Sequence, residues 1–178
     1  NASLAEDDKA YVVYYADNVA AFSDRREAEA GEGGFDKAMP LESVFNILNG
    51  NHGQSHYAMR VLNPKNGINY PTEDEISMDE HFYQSVIQNI TDNLRGITLD
   101  EEYINSLLAV LEANLTYIPS STSKKELADI SLYDHMKMTA AVASCVMQFL
   151  TAKGEKNYKQ RLFINAEKFY DEEMFLLY

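Results

Sequence analysis

Two residues of this 178-residue chain have the type and setting to do acid–base or metal chemistry, and they lie far apart: Asp17 and His135. Asp17 is flanked by Tyr11, Val12, Val13, Tyr14 and Tyr15 before it and by Val19, Ala20, Ala21 and Phe22 after it. A carboxylate among such residues is costly unless it is paired, hydrogen-bonded or metal-bound. On residue types alone, a kink cap or an ion pair with Arg25 or Arg26 is the commoner account. His135 has two readings as well. A ring at the edge of an apolar face is more often hydrogen-bonded to a neighbour than bound to a metal, and spacing leaves both open.

The elements that must hold these groups follow from periodicity. In Ile130–Leu150 the residues Leu132, Met136, Ala140, Ala143, Met147 and Leu150 recur at steps of three and four, the apolar stripe of a helix. Ser131 stands where an N-cap belongs, and Asp134 three residues later suits the positive helix end. The helix then starts at Ser131 or Leu132, and His135 sits in its first turn and a half with Thr139 and Val142 on the same face. Residues 3–30 contain no Pro or Gly and are rich in alanine, which predicts one long helix around Asp17, with Ala16, Ala20 and Ala21 leaving room for close packing.

Between these helices the pattern predicts a short helix over 42–48, entered through Pro40, and a turn at 49–53. Residues 56–62 and 67–70 read as a small hairpin or two extended strands. Helices are expected over 78–94 and 100–114, the second capped near Thr98 or Asp100 with Tyr103, Leu107, Leu108 and Leu111 inward. A loop follows at 119–123. After a turn at Lys153-Gly154 comes a locally basic stretch with Lys153, Lys156, Lys159, Arg161 and Lys168, where a backbone phosphate could be met. Residues 174–178 read as a buried strand. The expected fold is therefore mainly α, a helical bundle with a small β-hairpin and a terminal strand.

Composition narrows the function classes. Fifteen Lys and Arg against 28 Asp and Glu give a net charge of −13, which disfavours non-specific binding of a polyanion, so any nucleic-acid contact is local or made with metal or partners. The acidic stretch 71–102 reads as a solvated face. The lone Cys145 excludes an intramolecular disulfide and a Cys-rich zinc site and fits a reducing cytoplasm. No run of 18 apolar residues and no signal-peptide pattern at the start appear, so a cytoplasmic protein without a membrane span is expected. Asn1-Ala2 looks like the remnant of a cleaved tag, which would make the chain an excised piece of a longer protein. His52 and His56 are four apart, but Gly53 and the turn residues around it argue against a helical ligand pair; both, like His81, read as loop or surface residues.

Several short motifs in one order carry a resemblance. SLYDHMKMTAAVAS (Ser131–Ser144) resembles the first-histidine helix of the HD superfamily of metal-dependent phosphohydrolases, and more closely the large (signature) subunit of type III-A, Csm-type, CRISPR interference complexes. YYADNVAAFSDRRE (Tyr14–Glu27) resembles that family's Ala-Asp helix followed by a D-R-R-E segment. GFDKAMPLESVFNILNGN (Gly34–Asn51) and INYPTE (Ile68–Glu73) are similar to further stretches of it.

The resemblance implies a permuted, incomplete HD-domain-like bundle over 3–169, linker included, and the start of a palm-like domain at 170–178. It implies Asp17 and His135 as metal ligands, with Arg25, Arg26 and Lys137 as phosphate-facing or supporting groups. The usual HD order is inverted here, since Asp17 precedes His135, and this matches the permuted form. Its central His-Asp pair is missing, because no His is followed by Asp anywhere in the chain. For the parent protein it implies a divalent metal (manganese, nickel or similar), cleavage of single-stranded DNA switched on by target RNA, an oligoadenylate-making palm, and partnership with the other subunits and the guide RNA in antiviral defence. The piece itself is expected to be inactive and need not keep the metal. The alternative is a non-catalytic helical scaffold that docks other subunits. The two differ in geometry: a metal site requires Asp17 and His135 to converge within about 4–7 Å, and a scaffold does not.

Overall fold

Where apolar residues recur with helical period the chain forms helices, and they begin where a side chain takes up a free backbone N–H. The computed structural model of the chain describes residues 4–24, 33–48, 53–76, 78–98, 100 and 102–173. In order the elements are α1 (Ala10–Asp24), β1 (Leu41–Glu42), β2 (His56–Tyr57), α2 (Phe82–Leu94), α3 (Tyr103–Leu115), α4 (Leu132–Lys153), a π-helical turn (Gln160–Ile164) and α5 (Ala166–Glu173). The fold is mainly α with one small antiparallel strand pair, as expected. The described residues form two compact units, one taking the chain up to Asp24 and again from His135, the other the residues between. The expected strand at 174–178, the turn at 49–51, His52, Arg25 and Arg26 lie outside the described residues.

In the first unit, Tyr11, Val12 and Tyr15 of α1 form one core with Val146 and Leu150 of α4, Tyr158, Leu162 and Phe169. Ala16 and Ala20 are fully buried, as small residues at a tight contact should be. α1 starts at Ala10 and not near residue 3, because the Asp8 carboxylate accepts the Ala10 N–H at 2.8 Å and caps the helix there. The residues before it are tied down instead of helical: Lys159 N–H donates to the Glu6 carbonyl at 2.9 Å, and the Asn157 amide donates to the Glu6 carboxylate at 3.0 Å.

The inward face of α4 also differs from the expected stripe. Val142, Ala143, Val146, Met147 and Leu150 pack inward, whereas Ala140 is exposed and Met136 is 38% exposed. The helix carries apolar residues on two neighbouring rows, and the aromatic side chains of α1 and α5 select between them. His135 lies on the selected row, through Thr139, Val142 and Val146. α4 ends at Gly154, whose positive φ of 68° lets Glu155 N–H reach back to the Leu150 carbonyl at 3.0 Å. Beyond it two of the five cations of the basic stretch, Arg161 and Lys168, are paired within the unit. Arg161 meets Glu173 at 3.1 Å and Glu155 at 3.8 Å, and Lys168 meets Glu172 at 3.8 Å.

In the second unit Val86 of α2, Leu115 of α3, Ile118 and Tyr133 form a separate core. α2 and α3 begin later than the pattern suggests, since Asp79 takes the His81 N–H at 2.8 Å and Asp100 takes the Glu102 N–H at 3.0 Å ahead of them. Leu108 is 38% exposed, and Leu115 fills the inward place instead. The expected helix over 42–48 is replaced by β1 and a 3-10 turn at Val44–Asn46. The side-chain amide of Asn46 exchanges two hydrogen bonds with the Ser55 backbone, at 2.8 and 3.1 Å, and so imitates a strand neighbour. β1 pairs with β2 in the register Leu41↔Tyr57 and Glu42↔His56. The hairpin between 56–62 and 67–70 does not form; Asn63 caps a 3-10 turn at Pro64–Asn66, and His56 bridges to Thr72.

The start of α4 is fixed twice. Ser131 Oγ accepts the Asp134 N–H at 3.0 Å and donates to the Asp134 carboxylate at 2.8 Å, the expected cap. Just before it Leu132 N–H donates to the Ile118 carbonyl at 2.7 Å, beside a Pro119↔Ser131 bridge. Among the described residues no helix is long and apolar enough to cross a membrane. Leu150→Ala should destabilise the first unit by about 2–5 kcal/mol, whereas Met136→Ala should cost under about 1 kcal/mol; urea-unfolding midpoints compare the two directly, and equal losses would restore the row read from sequence.

Candidate functional site

The capped start of α4 fixes the angular position of His135, and α1 supplies the groups that meet it. The Nδ1 of His135 lies 2.8 Å from Asp24 Oδ2, and its Nε2 lies 3.0 Å from Asp17 Oδ1. Asp17 and Asp24 are seven residues apart, two turns of one helix, so they share a face of α1 about 10 Å apart along its axis. The imidazole bridges that gap. The site is graded from closed to open: the side chains of Asp24 and His135 are 13% and 14% exposed, that of Asp17 57%.

Burial pushes the imidazole toward its neutral form, but the hydrogen bonds to Asp24 and Asp17 and the negative charge of both outweigh it. The ring's pKa is therefore raised above its ordinary value. Asp17 is not the buried carboxylate that its flanking residues suggest. The buried side of α1 runs through Tyr11, Val12, Tyr15, Ala16 and Ala20, and Asp17 lies off it, beside exposed Val13 and Tyr14.

Asp17 and His135 thus converge from positions 118 residues apart, and more closely than the expected 4–7 Å, because the two groups hydrogen-bond directly. The spacing suits a divalent ion as well: two donors bound at about 2.1 Å and at right angles stand about 3.0 Å apart. An imidazole nitrogen with a carboxylate oxygen is a donor set that manganese, nickel or zinc accepts. Among the described residues no group of three or more His, Cys, Asp or Glu is arranged to hold a metal. Asp24 does not make a third donor, since it faces the opposite ring nitrogen from Asp17.

Of the other residues singled out from sequence, Lys137 is two positions past His135, roughly 200° around α4, and is exposed. Arg25 and Arg26 are outside the described residues. Asp24 was not singled out, although its spacing from Asp17 placed it on the same helical face. His56 is held by backbone carbonyls, Gln54 O at 3.1 Å and Asp74 O at 2.9 Å, and His81 sits exposed beside Glu80.

Comparison with known proteins finds relatives along nearly the whole chain. It is 36% identical over 99% of its length to the CRISPR system single-strand-specific deoxyribonuclease Cas10/Csm1 (subtype III-A) of Mycobacterium tuberculosis. It is 38% identical over 99% of its length to the protein of that description from Enterococcus italicus, and 35% identical over 98% to that from Streptococcus thermophilus. The chain spans 22%, 25% and 24% of these relatives' lengths. Among solved structures it is similar to a chain in a crystal structure of a Csm1-Csm4 cassette in complex with cA4, with a TM-score of 0.55 and 30% identity over 77% of this chain and 16% of that one. No family model matches.

A raised folded-state pKa means that folding favours the protonated ring, so the stabilisation is complete below the ring's ordinary value of 6.5 and is lost as pH rises through the raised folded value. Urea-unfolding midpoints of the parent chain should exceed those of His135→Gln by most at pH 6, with the gap shrinking toward pH 9; a gap independent of pH would contradict the paired imidazolium.

Proposed function

Since the chain corresponds along nearly its whole length to a segment of the Cas10/Csm1 proteins of subtype III-A CRISPR systems, we propose that Asp17 and His135 are two ligands of a divalent-metal centre in a single-strand-specific deoxyribonuclease. One observation carries this reading: a carboxylate and an imidazole 118 residues apart in sequence meet at 3.0 Å, at a half-open edge of one compact unit. Convergence of that kind is what a metal-dependent nuclease site needs. A divalent ion bound there would lower the pKa of a coordinated water toward neutrality and so supply hydroxide for attack on phosphorus.

The chain's own part is positional. α1 presents the Asp17 carboxylate outward and the capped start of α4 presents Nε2 beside it. Arg25, Arg26 and Lys137 are near enough in sequence to these ligands to serve phosphate, although the exposed side of α4 that bears Lys137 is not the side that bears His135. The His-Asp pair that completes an HD site is absent from this sequence. The parent is then the complete nuclease, acting in antiviral defence in the cytoplasm with other effector subunits, a guide RNA and single-stranded DNA, while these 178 residues alone are incomplete and inactive.

A second reading, a docking scaffold without catalysis, draws on a different feature. Beside α1 and α5 runs a groove of about 520 Å³ whose rim includes Tyr14, Phe22, Phe163 and Tyr170, with Phe22 76% exposed. Exposed aromatic rims of this kind suit a protein partner.

The two readings part on manganese. Titrating Mn²⁺ into the chain should broaden the NMR signals of residues around Asp17 and His135 before any others, and Asp17→Ala should abolish the localised effect; broadening spread evenly over the acidic surface would leave the scaffold reading. Purified chain should show no manganese- or nickel-stimulated cleavage of single-stranded DNA. Robust cleavage lost in Asp17→Ala would contradict the incompleteness of the site.

A further inference from the structure

The two carboxylates on His135 are unequal, and the inequality assigns them different tasks. Asp24 is nearly closed off, 13% exposed, and lies 2.8 Å from Nδ1; Asp17 is 57% exposed and lies 3.0 Å from Nε2. A neutral imidazole has one N–H and so can serve only one of them. Leaving the enclosed carboxylate without its donor costs its full desolvation, whereas water can replace the ring at Asp17. When it is neutral the ring therefore keeps its hydrogen on Nδ1, toward Asp24, gives up the hydrogen bond to Asp17, and leaves the Nε2 lone pair free at the open edge. From this we propose that Asp24 is a positioning residue: by accepting the Nδ1–H of His135 it fixes the ring's tautomer and rotation, so that Nε2 and Asp17 together form the edge that receives a divalent cation.

The proposal rests on the metal-site reading above and adds a residue to it. It accounts for the spacing of Asp17 and Asp24 on α1. One helical face holds the ring from both ends, with the buried contact setting its orientation and the exposed one sharing the incoming ion. A carboxylate behind a ligating imidazole also raises its basicity, and loss of such a partner typically lowers metal affinity by about 10–100-fold.

Long-range ¹H–¹⁵N NMR of the metal-free 178-residue chain, at a pH where the ring is neutral, reads the tautomer directly. His135 should be protonated on Nδ1. Asp24→Ala should shift the ring toward the Nε2–H form and raise the Mn²⁺ concentration needed for localised broadening by about 10–100-fold. Asp24→Asn, whose side-chain oxygen still accepts a hydrogen bond, should keep the Nδ1–H tautomer and lose less affinity. An Nε2–H ring in the parent chain overturns the proposal without any variant having to fold, and so does an unchanged tautomer in Asp24→Ala. If the tautomer follows Asp24 while no Mn²⁺ localises at the site in the parent chain, the positioning role stands and the metal-site reading falls.

Discussion

The hydrogen-bonded triplet of Asp17, His135 and Asp24 is the constraint on which the first unit is built. Its ring comes from α4 and both of its acceptors from α1, the helices whose apolar sides share a core through Tyr11, Tyr15, Val146 and Leu150. That core sets which rows of the helices face inward. The triplet sets where along those rows they stop. The charge-assisted hydrogen bond between His135 and the enclosed Asp24 carboxylate contributes about 1.5–3 kcal/mol, comparable with one buried aliphatic side chain, and unlike packing it is directional. Apolar contacts tolerate a small slide of one helix on another. A ring held at both nitrogens does not.

How much of this was legible depended on whether the deciding interaction was local. The start of α4 was readable because Ser131 and Asp134 are three residues apart and cap one turn between themselves. The pairing of β1 with β2 was not, because two-residue strands carry no alternation to read. Their register is set by the Asn46 side chain reaching the Ser55 backbone. The inward row of α4 was ambiguous for a different reason: Met136 and Ala140 are as apolar as Val142 and Val146, and only the partners on α1 and α5 distinguish them. The late starts of α1, α2 and α3 share one cause, an aspartate that takes a backbone N–H two residues on, at Asp8, Asp79 and Asp100.

The site was half legible. Residue chemistry and a resemblance pointed to Asp17 and His135, and the two do meet. The supposed dry setting of Asp17 was wrong, since a run of apolar neighbours in sequence surrounds a helical residue only if the helix is covered on every side. Asp24 carried a readable signal, seven residues past Asp17 on one face, but a carboxylate within a polar Ser-Asp-Arg-Arg run looks like a solvated residue until its partner is known.

The contact between Asp24 and His135 also closes a ring in the chain. These residues are 111 positions apart in sequence and in hydrogen-bond contact. Tethering the ends of a loop that long costs about 4 kcal/mol beyond a constant if the loop is slack. The α1 half of the first core is also synthesised more than a hundred residues before the α4 half that it packs on. The intervening unit has a core of its own in Val86, Leu115, Ile118 and Tyr133, so its apolar burial does not depend on that contact. A closure made across so many residues raises the contact order of the first unit, which slows its folding relative to a bundle whose contacts are local.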